Sequence, residues 1–296
     1  MDTITHTLFG LALYGAVDKR NFSKKEKGAL LFTTIVGSQI PDIDVVSQFW
    51  DTEGQYQMWH RGITHSIFIV PFFAFLIYSF SRWIWQVKSS FYFWVALLAV
   101  FIHNTADLFN AWGTGYLEPF SSVRITFGTI PIVDLVIWGI LLISFIISRK
   151  TVRYPSHLVF KGAWCFILLH VIVQTIQGSI IYNQYSEEYE QVALSASFIP
   201  TQFSVIAKEE EHVSIYNTSL FRKDSLEYSL ESAQGADLDL LFQHNPEAAT
   251  LKEWAPFVVI VDDGDVLGVY DPRFYRNGQS FLFEFINRSE LEKKGN

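Results

Sequence analysis

Four apolar segments, residues 64–85, 91–110, 130–148 and 163–181, each approach the roughly 20 residues that a helix needs to cross a bilayer core. Backbone amides cannot lie unpaired in lipid, so such segments must be helices packed on one another. Two shorter apolar stretches, 4–17 and 28–41, precede them and suit buried or re-entrant helices. The expected fold class is an α-helical membrane bundle over residues 1–181, with four clear spans plus two short helices. Only 18% of residues are charged, against about 25% in soluble domains, which agrees with burial in lipid. The spans are not purely apolar, since Arg82, Asp134 and His170 lie within them.

The character changes near residue 182. Residues 182–296 carry 20 acidic and 9 basic side chains, a net of −11. Alternating runs occur at Val192–Phe198, Phe203–Ala207, Val213–Asn217, Phe257–Val261, Val266–Tyr270 and Phe281–Ile286. Asp263-Gly264 separates two of them as a hairpin turn would. A C-terminal soluble β-rich domain over 182–296 is expected. The formal net charge of the whole chain is −8, which gives a nucleic-acid partner no electrostatic footing. Cys165 is the sole cysteine, so no intrachain disulfide is possible. The N-terminus lacks a basic region and a small-residue cleavage site, so no removable signal peptide is expected.

Basic residues suggest an orientation. Lys19, Arg20, Lys24, Lys25 and Lys27 cluster between the two short segments. Arg82 and Lys88 follow two segments later, and Arg149, Lys150, Arg153 and Lys161 precede the last span. The alternate loops, 42–63 and 111–129, hold only Arg61 and Arg124. The positive-inside rule puts the basic loops in the cytoplasm, and hence the other loops and the acidic domain on the non-cytoplasmic face.

Four motifs fall at that same expected face: Thr5-His6-Thr7, Pro41-Asp42-Ile43-Asp44, His60-Arg61-Gly62-Ile63-Thr64-His65 and His103-Asn104-Thr105-Ala106-Asp107. Imidazole and carboxylate are the ligands that hydrolytic metals favour. His103 and Asp107 are four apart and share one face of a helix. Each motif alone is weak, because single buried polar groups are usually just hydrogen-bonded. Together they ask for a function, since an ionisable group at membrane depth costs roughly 2.5–3.5 kcal/mol on insertion scales. The candidate metal ligands are His6, Asp42, Asp44, His60, His65, His103 and Asp107, with no basis for dividing them between one or two ions. Asp134 is a weaker candidate, because an acid that opens a helix also favours its N-terminus.

These residues resemble the YdjM-type family, described as LexA-binding, inner-membrane-associated hydrolases inferred to depend on metal. The matching pieces are Met1-Asp2 with Thr5-His6 and Gly10, then Gly37 with Pro41-Asp42-Ile43-Asp44. The His60–Ser66 motif follows, then His103–Asp107 leading to Asn110-Ala111-Trp112-Gly113-Thr114. The resemblance covers residues 1–150 and implies a membrane-embedded hydrolase. A more distant similarity, to zinc-dependent phospholipase C, is an analogy of ligand type only. The LexA-binding part of the description suits an external metal face poorly and is not carried over.

The expected chemistry is metal-assisted hydrolysis of a phosphoester or other ester, in a lipid or a membrane-proximal small molecule, with membrane lipids as surroundings. Zinc is the expected ion, because imidazole suits it better than magnesium or calcium. Asp44 is the candidate base, and Arg61 the candidate clamp for an anionic substrate. Asn104 and Asn110 are placed to orient ligands. Two other classes stay open: a transporter or ion-binding membrane protein, and a non-enzymatic membrane sensor.

Overall fold

The computed structural model describes residues 1–150 and 154–294. Arg153, part of the basic loop above, lies outside the described residues. Helices α1 (Thr3–Ala16) and α2 (Lys24–Gly37) lead into a 3₁₀ segment, Ile40–Phe49, and the short helix α3 (Tyr56–Trp59). A 3₁₀ turn at Ile63–His65 precedes α4 (Val70–Trp85), α5 (Phe91–Asp107), α6 (Leu135–Lys150) and α7 (Ser156–Ser186). The chain divides into two compact units, Met1–Asp44 with Arg61–Ile176, and Val45–His60 with Gln177–Asn296.

Local chemistry fixes where the helices start. The Asp2 carboxylate accepts from the backbone amides of Ile4 and Thr5 and caps α1. Ser23 and Glu26 exchange hydrogen bonds in a capping box at the start of α2. Pro71 sits in the first turn of α4, where its missing N–H costs nothing. Asp134 accepts from the amides of Val136 and Ile137 at the head of α6.

In the first unit, Phe9 and Ala12 pack with Ile130, Ile137, Leu141, Phe160 and Ile167. A second cluster joins Val70, Phe73, Ala74 and Ile77 of α4 to Ala96 and Val100 of α5. Two glycines let α2 come close to its neighbours. A Cβ at Gly37 would stand 2.7 Å from the Cβ of Ala99, and one at Gly10 would stand 2.8 Å from the Thr34 carbonyl oxygen. Both distances are below any real carbon contact, so these positions exclude larger residues.

The expectation of four membrane-crossing helices is not met. Among the described residues, α7 alone is long and apolar enough to cross. The number rises to three only if two bent pairs each count as one span: Lys24–Gly37 with Ile40–Phe49 at 52°, and Tyr56–His65 with Val70–Trp85 at 71°. The physical reason is that apolar runs overstate helix length. Residues 64–69 turn instead of joining α4, and 130–134 stay irregular ahead of α6. The helices α4, α5 and α6 therefore have 16, 17 and 16 residues. At 1.5 Å per residue these reach about 24–26 Å, short of the roughly 30 Å hydrocarbon core.

The C-terminal unit is β-rich, as expected. Strands β1 (Gln191–Ala196), β2 (Phe203–Glu209), β3 (His212–Ser219) and β4 (Arg222–Glu231) form an antiparallel meander in that order. Helices α8 (Leu238–His244) and α9 (Pro246–Trp254) follow. Next come β5 (Val259–Asp262), β6 (Val266–Tyr270), the two-residue pair β7 (Tyr275–Arg276) and β8 (Gln279–Ser280), β9 (Phe283–Asn287) and α10 (Arg288–Lys294). β6 is the centre of a three-stranded sheet between β5 and β9. Gly264, with φ +94°, supplies the left-handed residue in the β5–β6 turn. Both faces of β2 are buried: Ile206 packs with Ile215, Val259 and Tyr270, while Phe203, Val205 and Ala207 pack with Ile181 and Tyr185 of α7. The sequence reading missed β4, whose run RKDSLEYSLE is mostly exposed and begins with four polar residues, although Tyr228 and Leu230 in its second half pack on the core.

Candidate metal centre

His103 and Asp107 stand one turn apart near the end of α5, and neither has any solvent exposure. His65 closes the 3₁₀ turn before α4 and is equally buried. Asp42 lies in the 3₁₀ segment after α2, and its side chain is 20% exposed. One donor atom from each of these four residues lies within 4.8 Å of the other three.

The individual distances have a recognisable regularity. His65 Nε2 is 3.3 Å from Asp42 Oδ1, 3.4 Å from Asp107 Oδ2 and 3.2 Å from His103 Nε2. His103 Nε2 is 3.4 Å from Asp42 Oδ1 and 3.8 Å from Asp107 Oδ2. An ion with four tetrahedral ligands at about 2.0–2.2 Å spaces those ligands roughly 3.3–3.6 Å apart. Four of these five spacings lie close to that range and the fifth is longer, so the donor set has a size that could hold a metal ion. The Oδ2 of Asp107 is buried and makes no hydrogen bond among the described residues, only an ion pair with Arg61 beyond its contacts with the two imidazoles, which leaves it a lone pair for a cation.

Hydrogen bonds on the far side of each imidazole set its orientation. His103 Nδ1 is 2.8 Å from the Ser38 carbonyl oxygen. That carbonyl only accepts, so it holds the proton on Nδ1 and leaves Nε2 as a lone pair. Gly37, pressed against α5, puts Ser38 in place. His65 Nδ1 is 3.3 Å from Asp44 Oδ2, while Nε2 faces the donor set. Asp44 thus stands behind His65 and outside the four-donor group. The same oxygen of Asp44 accepts from the Thr64 hydroxyl at 2.6 Å and from the Arg61 amide at 2.9 Å.

His6 approaches from α1. Its Nε2 is 3.3 Å from Asp107 Oδ1, and its ring stacks on His103 with centroids 3.7 Å apart. Neither ring nitrogen has a hydrogen-bond partner among the described residues. Burial pushes His6 well below the usual histidine range, so the ring stays neutral and able to ligate. The α-amino group of Met1 contacts Asp107 Oδ1, and burial lowers its pKa as well. Asp107 therefore turns one oxygen to His65 and His103 and the other to His6.

Arg61 is buried and already engaged. Its Nη1 donates to Asn110 Oδ1 and its Nη2 to the Met1 carbonyl, each at 3.0 Å, and its Nε lies 3.4 Å from Asp107 Oδ2. Its backbone is left-handed at φ +57°, a state that costs a non-glycine residue on the order of 1–3 kcal/mol. The bond from its amide to Asp44 helps hold that conformation. Asn110 also donates to Asp107 Oδ1 at 3.4 Å. Asn104 donates to the Ser66 carbonyl at 3.3 Å and so ties α5 to the His65 turn.

Two candidates lie elsewhere. His60 belongs to the second unit and stacks on Tyr56, with centroids 5.5 Å apart. Asp134 bonds His170 Nε2 at 2.9 Å while capping α6. Sequence reasoning missed Ser38, whose carbonyl acts without any side-chain signature, and Thr64, for which adjacency to His65 was the only clue.

The family described as YdjM inner membrane protein matches residues 1–181. The chain belongs to the YdjM family. All of the four-donor group falls within the matched residues. Membership in this inner-membrane family, with α7 as an apolar helix of crossing length, makes the chain membrane-associated. A relative, the uncharacterized protein YfhP of Bacillus subtilis (strain 168), is 35% identical over 138 residues. That match spans 45% of this chain and 42% of YfhP, under half of the relative's length. No solved structure matches this YdjM-family chain.

Proposed function

We propose that this YdjM-family protein is a metal-dependent hydrolase of a phosphoester or other ester, with zinc held by Asp42, His65, His103 and Asp107. The observation that carries the reading is the convergence of four donors of two chemical types within 4.8 Å of one another, three of them without solvent exposure. A bound divalent ion lowers the pKa of its water towards about 7 and polarises a phosphoryl or carbonyl oxygen. The protein's own part is positional. Ser38 and Asp44 fix the two imidazoles, and Arg61 with Asn110 fixes Asp107. Asp42 is the partly exposed member, so substrate and water reach the centre past it. Asp42, the partly exposed member, is a better-placed proton acceptor than the fully engaged Asp44.

Orientation is part of the proposal. Lys161 and the Arg149–Lys150 pair lie at the N-terminal side of α7, and the acidic residues follow its C-terminus. The positive-inside rule then puts the β-rich unit outside the cytoplasm. Protease added to intact spheroplasts should cleave that unit, and protection of it would reverse the orientation. The hydrolase reading is tested by elemental analysis and turnover of a chromogenic phosphodiester. Chelator-free protein should carry zinc and lose turnover in His65→Ala. Absence of any transition metal would overturn the assignment, and metal flux into proteoliposomes without turnover would replace it with a transporter.

A further inference from the structure

The first unit contains an apolar groove of about 500 Å³ between α1, α5, α6 and α7. Its volume lies within the roughly 300–1,000 Å³ of small-molecule sites. Phe9, Ile102, Ile137 and Ile167 are among its walls, and almost no polar atom faces into it. The groove adjoins the metal centre through shared helices. Thr105 and Ala106 line it and immediately precede Asp107, while Phe9 lines it and meets His6 edge-on at 6.2 Å. Its rim is formed by Leu98, Phe101 and Leu168, which are exposed. Leu168 belongs to α7, the helix of crossing length, so this rim continues the apolar surface that lies in the bilayer.

We propose that the groove holds one acyl chain of a membrane lipid, which enters across the exposed rim of Leu98, Phe101 and Leu168. This rests on the hydrolase reading in one respect: it makes the lipid the substrate and places its polar part beside Asp107. The apolar walls supply affinity by burying the methylenes of the chain.

The test measures binding, so it stands whether or not the protein turns over. Full-length protein in nanodiscs is photolysed with a diacyl phosphatidylethanolamine carrying a diazirine in one chain, and adducts are mapped by peptide mass spectrometry. Adducts should concentrate on 101–109 and 164–171, in the wild type and in His65→Ala alike. Leu98→Trp and Leu168→Trp, both at exposed rim positions, should block entry and lower those adducts about tenfold relative to Leu142 and Phe145 on the outer face of α6, a loss that corresponds to about 1.4 kcal/mol. Adducts spread evenly over α4, α5, α6 and α7 and unaffected by the rim variants would mean ordinary boundary lipid and overturn the proposal. Absence of metal or turnover with groove labelling intact would sink the hydrolase reading alone.

Discussion

The imidazole of His103 bonds through Nδ1 to the Ser38 carbonyl oxygen at 2.8 Å and presents Nε2 to His65 at 3.2 Å. A backbone group on α2's C-terminal side thus decides which nitrogen of an α5 histidine is free. The contact depends on how closely α2 approaches α5. Gly37→Val should push Ser38 off His103 and weaken zinc binding about 10–100-fold, the usual effect of losing an orienting partner. Competition titration with a fluorescent chelator reads this, and wild-type affinity in the variant would show that Ser38 is incidental.

Asp42 and Asp44 should separate cleanly despite standing two residues apart. Asp42 faces both histidine nitrogens of the donor set, whereas Asp44 faces the opposite nitrogen of His65. Asp42→Asn should abolish stoichiometric zinc. Asp44→Asn should retain it at about 10–100-fold lower affinity. Equal losses in the two variants would mean that Asp44 is itself a ligand.

His60→Ala should leave zinc content unchanged, because the His60 ring stacks on Tyr56 and belongs to the other unit. His6→Ala is the contrasting case. Its nitrogen faces the second oxygen of Asp107, so this variant should alter the stoichiometry or affinity measured by elemental analysis. A loss of metal in His60→Ala with none in His6→Ala would invert the assignment.

Arg61→Met should cost about 3–5 kcal/mol of stability, since it leaves the buried Asp107 carboxylate without its guanidinium. Arg61→Lys should rescue little, because an ammonium cannot reach Asn110, Met1 and Asp107 with one planar fork. The readout is the melting temperature of the detergent-solubilised apoprotein. A lysine variant as stable as the wild type would argue for simple charge balance.

In the β-rich unit, Ile206→Ala should destabilise by about 2–5 kcal/mol through the cavity it opens. Ile206 is fully buried against Ile215, Val259 and Tyr270. Limited proteolysis should cleave 182–296 faster in this variant while zinc content stays the same. Parallel loss of zinc would show that the metal centre depends on this unit.

The reach of the sequence differed between parts of the chain, for reasons visible in single residues. The β5–β6 hairpin was legible because Asp263-Gly264 supplies the left-handed turn that the strands require. β4 was not, because Arg222–Ser225 is wholly polar and the alternation of Leu226, Tyr228 and Leu230 with Glu227, Ser229 and Glu231 is confined to its second half. The helices were found but their lengths were not: His65, Ser66 and Asp134 fall inside apolar runs, and a hydropathy count passes over the very residues that turn the chain. Within the site, the types and region were legible from His and Asp alone. The roles were not, because His60 and His65 occupy one motif and only tertiary packing places one in the donor set and the other against Tyr56.

β4 also bears on solubility. As the last strand of its sheet it offers unpaired backbone donors and acceptors, the template along which a second chain would add. Arg222, Lys223, Asp224 and the register shifts opposite Tyr216 and Ser219 spoil that template. The charged start of this strand is therefore a guard against runaway self-association, and replacing its charges with valine should make the unit aggregate edge to edge.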